Sequence, residues 1–335
     1  MIERRSYGSS GFTLSVLGIG CWAYGGGEGD YWGPQDQKDV DVVVARALDE
    51  GINYFDTAEA YNEGRSEEAL GRALKGRRQQ AIIGTKVLPA HMEPATLRQH
   101  CEGSLRRLNT DFIDIYMVHW PLVNQPVEGT FVTLAALRAE GKIRSIGMSN
   151  FGVHQLQEAL STGVRIEVNQ LCYNLLSRAI EIDLMPFCAS RKIGILAYSP
   201  LAQGLLTGKF RSADEMPSAR TRTRHFRGDR PGSRHGEAGA EAETFTALDG
   251  LRQVAQELQA PLAQVALAWC LGSPEITCVL PGIRTAKQFE ENKAGARLRL
   301  TPETMTRLDR LTLALREKLG ASPDYYQGRN KSRTW

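Results

Sequence analysis

Eight short, β-branched apolar runs alternate with longer amphipathic stretches along this chain, and that alternation constrains the fold more than any other feature. The runs cover residues 16–20, 52–55, 81–85, 113–118, 143–148, 166–169, 193–198 and 277–280. Few polar residues interrupt them, as in parallel strands buried on both faces. Helical stretches separate them at 38–49, 66–75, 94–108, 127–139, 153–160, 182–191, 243–259 and 285–294. The first carries Val42, Val43, Ala45, Ala47 and Leu48 and stops at Gly51, a helix-ending residue. Strand-then-helix repetition predicts an α/β fold, and eight units predict closure into a single (β/α)8 TIM barrel. A chain of 335 residues has room for one such barrel with insertions, so 1–335 reads as one domain.

Three regions break the rhythm. Residues 3–16 read as an N-terminal β-hairpin with Gly8 and Gly11 at its turn. Residues 202–241 form a long loop after the seventh strand, rich in arginine: Arg220, Arg222, Arg224, Arg227, Arg230 and Arg234. A connection of that length is a lid, a binding loop or a disordered segment. The simplest reading makes most of it solvated and flexible. Residues 301–335 read as one C-terminal helix, from about 302 to 318, and an aromatic tail ending in Trp335.

Composition excludes several classes. A net charge of +3 is too small for a nucleic-acid binder, and the arginine run lacks interleaved aromatics. The six cysteines are scattered, with no C-x-x-C pair, which argues against a zinc ribbon or a disulfide scaffold. Reduced thiols in a cytoplasmic protein follow. The first residues show no signal peptide, and no run of about 18 apolar residues suggests a membrane span. No H-x-H or H-E-x-x-H spacing appears, so no metal is expected. Oligomeric state is not legible.

Two motifs mislead. Gly18-Ile-Gly-Cys-Trp-Ala23 fits the glycine fingerprint of a doubly wound sheet, but no helix pattern starts there, as that motif requires. Gly208-Lys209 has the ending of a phosphate loop, yet Gln203 replaces its first glycine.

Active sites of such barrels sit at the C-terminal ends of the strands. Asp56 ends the second run, Tyr61 follows it, Lys86 ends the third and His119 the fourth. Each alone has a simpler reading: turn cap, loop packing, solvated strand end, core histidine. Together they share one rim, and they suit carbonyl reduction. A tyrosine is a reluctant acid near neutrality. An adjacent ammonium lowers its pKa, a carboxylate pairs with that ammonium, and a histidine can bind the substrate oxygen.

Asp56-Thr-Ala-Glu-Ala-Tyr61 resembles the D-T-A-x-x-Y signature of the aldo-keto reductase superfamily. Lys86 and His119 match its other two catalytic positions. Similarity extends from about Gly11 to Asn292, through the segments 51–58, 66–74, 141–150 and 281–284. The resemblance implies an NADP-dependent oxidoreductase that reduces an aldehyde or ketone. It implies Tyr61 as the proton donor, Lys86 as its modulator, Asp56 as the partner of Lys86, and His119 as the group that orients the carbonyl.

It also implies NADP(H) bound without a doubly wound sheet. Ser149, Asn150 and Gln170 suit a carboxamide, which needs donors and acceptors. Tyr198 would stack on the nicotinamide; without the family context it is a core aromatic. The segment Ser199, Pro200, Leu201, Gln203, Gly204, Leu205 and Lys209 matches the family's pyrophosphate belt. Gly282 and Arg284 match its G-x-[KR] turn, with Arg284 on the ribose 2′-phosphate. Gln288, Glu291 and Asn292 match adenine-side positions. Arg284 favours NADPH over NADH.

The substrate pocket is expected between Tyr61 and the loops carrying Trp22, Tyr24, Tyr31, Trp32, Trp120 and the C-terminal tail, with Trp22 and Trp120 as aromatic walls. The chain looks most like the bacterial group of inositol-linked and general-stress reductases. That implies a small-molecule carbonyl substrate of sugar, polyol or small-aldehyde type. The alternative is a cofactor-sensing interaction subunit like the potassium-channel β subunits, which share the fold and can keep the same four residues.

Overall fold

The structure, a computed structural model, describes residues 2–8, 11–121 and 127–334. Ser9 and Ser10 of the expected hairpin and Trp335 at the end of the expected tail lie outside the described residues. Strands β1 (Arg4–Ser6) and β2 (Thr13–Ser15) pair antiparallel as that hairpin. Eight strands follow: β3 (Ile19–Gly20), β4 (Tyr54–Asp56), β5 (Ile82–Val87), β6 (Ile113–Val118), β7 (Ile143–Ser149), β8 (Val168–Cys172), β9 (Gly194–Tyr198) and β10 (Ile276–Leu280). They form one parallel sheet in sequence order. Backbone bonds from Gly18 to Val279 (2.9 Å), Val279 to Val16 (2.8 Å) and Gly20 to Pro281 (3.0 Å) bring β10 back to β3. The barrel expected from the alternation is therefore present.

Helices connect the strands. They are α1 (Gln37–Asp49), α2 (Arg65–Ala73), α3 (Pro94–Leu108), α4 (Glu128–Ala139), α5 (Val153–Ser161), α6 (Leu184–Ser190), α7 (Glu241–Glu257), α8 (Leu262–Gly272), α9 (Ala286–Arg297), α10 (Pro302–Leu311) and α11 (Leu313–Leu319). Among the described residues no helix is long and apolar enough to cross a membrane. Helix α3 starts where its chemistry dictates. The Glu93 side chain accepts from the amides of Ala95 and Thr96, and Pro94 needs no donor partner in the first turn.

The barrel is filled, not hollow. Tyr54, Ile115, Met117, Val168, Leu196, Cys278 and Leu280 form an inner cluster, which Tyr7 and Leu14 of the hairpin close from below. A Cβ on Gly84 would lie 2.2 Å from the Tyr54 hydroxyl, so glycine is what lets that ring occupy the interior. Each large apolar side chain buried this way contributes about 1.5–3 kcal/mol.

Several expectations need correction. The first run divides: Ile19 and Gly20 pair with β4, whereas Val16 and Gly18 bond to Val279 of β10. Strand β8 begins later than expected, at Val168, and runs on to Cys172 because its far end pairs with Tyr198. Helix α8 was hidden from periodicity. Leu262, Val265, Ala266, Leu267, Ala268, Trp269, Cys270 and Leu271 are all buried, so no polar face marks it. The single C-terminal helix is two. Thr312 leaves helical geometry and turns its hydroxyl to Leu308 O and to Arg178.

The loop 202–241 is not the solvated segment its composition suggests. Arg224 is 1 % exposed and donates to the carbonyls of Leu319 and Ser322, both at 2.6 Å. His225, Phe226 and His235 are buried beside it. Arg230 clamps Glu241 at 2.6 Å and Asp214 at 2.9 Å. Arginine serves here because its five donors can satisfy loop carbonyls that no ladder reaches.

Candidate active site

A cleft of about 760 Å³ opens at the C-terminal ends of the strands. Gly20, Asp56, Ser149, Gln170, Tyr198 and Leu280 reach it from β3, β4, β7, β8, β9 and β10, and His119 from the residue after β6. Lys86 of β5 lies beneath the floor with no solvent exposure.

Four charged or polar groups converge there. Lys86 Nζ donates to Asp56 Oδ2 at 2.8 Å, to Thr57 O at 2.7 Å and to the Tyr61 hydroxyl at 3.3 Å. The other oxygen of Asp56 accepts from Gln170 Nε2 at 2.6 Å and from the Tyr54 hydroxyl at 3.4 Å. The rings of Tyr61 and His119 meet edge to face, with centroids 5.6 Å apart.

Tyr61 stands on an unusual turn. Asn62 and Glu63 adopt left-handed backbone angles, with φ of 49° and 57°. Such angles cost energy in residues with side chains and persist where neighbours enforce them. Here the Asn62 amide donates to Trp22 O (3.1 Å) and Tyr24 O (2.8 Å). Asn62 is a positioning residue that motif reading passed over, although it directly follows the signature tyrosine.

Burial pushes the Tyr61 phenol above its ordinary range; Lys86 lowers it as expected, but burial outweighs it. The net direction is up, not down. Burial also opposes charge on Lys86, but Asp56 and Tyr61 outweigh it and hold the ammonium above its usual value. Burial, aided by Lys86, pushes His119 down to about 3, so its imidazole is neutral. His119 Nδ1 has no hydrogen-bond partner among the described residues.

Further along the cleft, Tyr198 donates to Asn150 Oδ1 at 2.8 Å, and Asn150 Nδ2 donates to His119 O at 3.1 Å. Asn150, Ser199 and Gln203 line the wall in left-handed conformations, and Gly204 has φ of 104°. Pro200, Leu201, Lys209, Gly282, Arg284, Gln288, Glu291 and Asn292 continue the wall, and Trp22 and Trp120 flank the mouth. Of the residues singled out by sequence, Lys86 lies under the floor, and Leu205 is buried in the core instead of on the wall. Tyr24 is likewise fully buried, and Tyr31 stacks on Trp22 at 4.8 Å.

Arg284 is held differently than expected. Its guanidinium donates to Gln35 Oε1 (2.8 Å), Trp32 O (2.8 Å) and Pro34 O. It braces a loop at the cleft edge while keeping its charge there.

The insertion and the tail supply wall residues that no motif identified: Arg220, Arg222, Arg234, Tyr326, Gln327 and Arg333. Arg220 lies 4.6 Å from the Trp32 ring and Arg333 lies 3.6 Å from the Trp120 ring. Asp324 pairs with Arg333 through both oxygens, at 2.8 and 2.9 Å. The tail also bonds to the barrel, through Thr334 Oγ1 to Asn150 O at 2.7 Å. The arginine run and the aromatic tail signal these walls, but neither says which of their residues turn inward.

Residues 16–312 match the model of the aldo/keto reductase family. The aldo-keto reductase YhdN of Bacillus subtilis is 34% identical over 300 residues, covering 86% of this chain and 87% of its own. The NADH-specific methylglyoxal reductase of Escherichia coli is 32% identical, covering 94% of this chain and 99% of its own. The crystal structure of an aldo-keto reductase from Klebsiella pneumoniae in complex with NADPH superposes with a TM-score of 0.73 at 27% identity, covering 99% of both chains. Sequence, fold and cleft agree, and the chain belongs to the aldo/keto reductase family.

Proposed function

We propose that this protein is an NADP(H)-dependent carbonyl reductase that uses Tyr61 as its proton donor. The observation that carries the reading is the contact between Lys86 and Tyr61 at the floor of a cleft built from seven strand ends. Carbonyl reduction is the chemistry of the family to which the chain belongs.

The wall residues fit an extended dinucleotide. Ser149, Asn150 and Gln170 present donors and acceptors together, as a carboxamide requires. Left-handed backbone at Ser199, Ala202, Gln203 and Gly204 lets main chain approach a phosphate closely. Lys209 and Arg284 add positive charge along the wall. When bound, the nicotinamide supplies hydride to the carbonyl carbon.

The chain's own groups then handle the proton. Tyr61 is protonated at neutral pH, as an ordinary tyrosine is, and burial disfavours its phenolate further. It donates that proton to the carbonyl oxygen as charge develops there. Lys86 stabilises the phenolate left behind, and Asp56 keeps Lys86 charged in a dry site. Neutral His119 offers a hydrogen bond to the same oxygen without competing for the proton. Trp22, stacked on Tyr61 with centroids 5.6 Å apart, shields this exchange from water.

Small aldehydes and sugar or polyol carbonyls are the substrate class we favour. Trp22, Trp32, Trp120 and Tyr326 supply flat apolar faces, while Arg220, Arg222, Gln327 and Arg333 supply donors for hydroxyl or carbonyl oxygens. The cofactor is NADPH in the Klebsiella complex and, by its name, NADH in the Escherichia coli relative. Arg284 supports NADPH here.

NADPH oxidation against a panel of sugar, aromatic and small aliphatic carbonyls tests the reading, with Tyr61→Phe alongside. Wild type should turn over at least one class. The variant should lose about 10²–10⁴-fold in kcat while binding NADPH with similar affinity. Retained turnover would remove Tyr61 from the role.

A further inference from the structure

A second cluster of chemistry-bearing side chains lies outside the cleft. Glu59 follows β4, His91 follows β5, and His100 lies on α3. Glu59 is 8 % exposed, yet its carboxylate meets no ammonium or guanidinium among the described residues. Its Oε1 faces His91 Nδ1 at 2.8 Å and its Oε2 faces His100 Nδ1 at 2.7 Å. The two imidazoles stack with centroids 3.6 Å apart and planes 17° from parallel. One ligand atom from each residue lies within 4.8 Å of the other two.

A buried carboxylate with no ammonium or guanidinium beside it is a place where a bound cation is favourable, because burying a carboxylate is costly unless a cation joins it. Two imidazole nitrogens and one carboxylate oxygen are the ligand set that borderline divalent metals prefer, with a fourth position left for water. Ligand bonds of about 2.0–2.2 Å place neighbouring ligand atoms a little over 3 Å apart in a tetrahedron. Each imidazole faces a different Glu59 oxygen, so a shared metal needs the histidines to swing toward one oxygen or the carboxylate to bind through both. Both side chains of the histidine pair are about one-third exposed, so they can swing and a metal can enter from solvent. Coordination through Nδ1 requires that nitrogen to be free of a proton, with any ring proton carried on Nε2.

We propose that Glu59, His91 and His100 form a binding site for a divalent transition metal of the zinc type. The spacing hides it, because the ligands come from three separate elements and match no linear motif. The site is tied to the cleft. The Glu59 amide donates to Lys86 O at 3.2 Å, its Oε1 accepts from Leu88 N at 2.8 Å, and Tyr61 is two residues on. A bound metal therefore staples the loops after β4 and β5 to α3. This site stands independently of the substrate reading.

The test is calorimetric titration of the metal-stripped full chain with zinc chloride, beside the variant His91→Gln/His100→Gln. Wild type should take up one tight equivalent per chain and gain thermal stability. The double variant should lose both, with affinity falling by more than the ten- to hundredfold typical of a lost outer partner. Magnesium should do neither, since it prefers oxygen ligands. His154→Gln, which alters the only other described histidine–glutamate pair, should behave as wild type. Cobalt substitution should give the visible bands of a four-coordinate site in wild type only. The absence of a saturable zinc equivalent, or equal binding by the double variant, would overturn the proposal.

Discussion

The Lys86 ammonium stands 3.3 Å from the Tyr61 hydroxyl with no exposure to solvent. Burial raises the phenol and Lys86 lowers it, so the two effects oppose each other at one oxygen. Lys86→Met removes the only strong influence favouring phenolate. Reduction should fall by about 10²–10⁴-fold, and the pH limb for alcohol oxidation should move to higher pH. Asp56 would lose its buried partner, at a cost of about 3–5 kcal/mol. Adding Asp56→Asn should restore much of that stability, but not the activity. Urea denaturation and pH–rate profiles separate the two effects.

Arg284 carries charge to the cleft edge while bracing Trp32, Pro34 and Gln35. Arg284→Ala should weaken NADPH by about 10–100-fold, the range for a hydrogen bond to a charged group, and NADH far less. Fluorescence titration with each cofactor checks this. Equal losses would mean that Arg284 acts through the loop it braces, not through the 2′-phosphate.

His225 is buried, with Nε2 2.8 Å from Leu176 O and Nδ1 3.1 Å from Thr223 Oγ1. Burial pushes it down to about 4. Between about 6.5, the ordinary value, and 4, the unfolded chain binds a proton that the folded one refuses. Stability should therefore fall as pH drops through that window, by up to about 1.4 kcal/mol per pH unit. His225→Gln should flatten the slope in denaturant melts taken from pH 7 to pH 4. His119 acts in the same direction and will leave a residual slope.

Arg333 joins the tail to the mouth of the cleft, pairing with Asp324 and covering Trp120. Arg333→Ala should raise KM for the carbonyl severalfold by releasing Trp120, with little change in cofactor affinity. It should also cost about 1–3 kcal/mol, because the buried Asp324 carboxylate loses its partner. Steady-state kinetics and thermal melts measure both.

The barrel, and which residues lie near its C-terminal rim, are legible in the sequence because they depend on local order. A parallel strand buried on both faces must be a short apolar run, and its C-terminal residue must emerge at the rim. Counting along strands places Asp56, Ser149 and Tyr198 at strand ends and His119 one residue beyond, whereas Lys86 and Gln170 lie one and two residues inside theirs. Helix α8 escapes such counting for a related reason: eight of its eleven residues are buried, so it carries little amphipathic period.

Tertiary structure alone decided how these residues act. Whether Tyr61 is raised or lowered depends on how much burial opposes a single ammonium, and burial is not a property of sequence neighbours. The role of the arginine-rich loop was equally non-local. Arg224 is enclosed by carbonyls nearly a hundred residues away, while Arg220 and Arg222 reach the cleft. In the strands one residue's place predicts the next; in the loops and the tail, only packing against distant segments chooses which charge is buried and which meets a ligand.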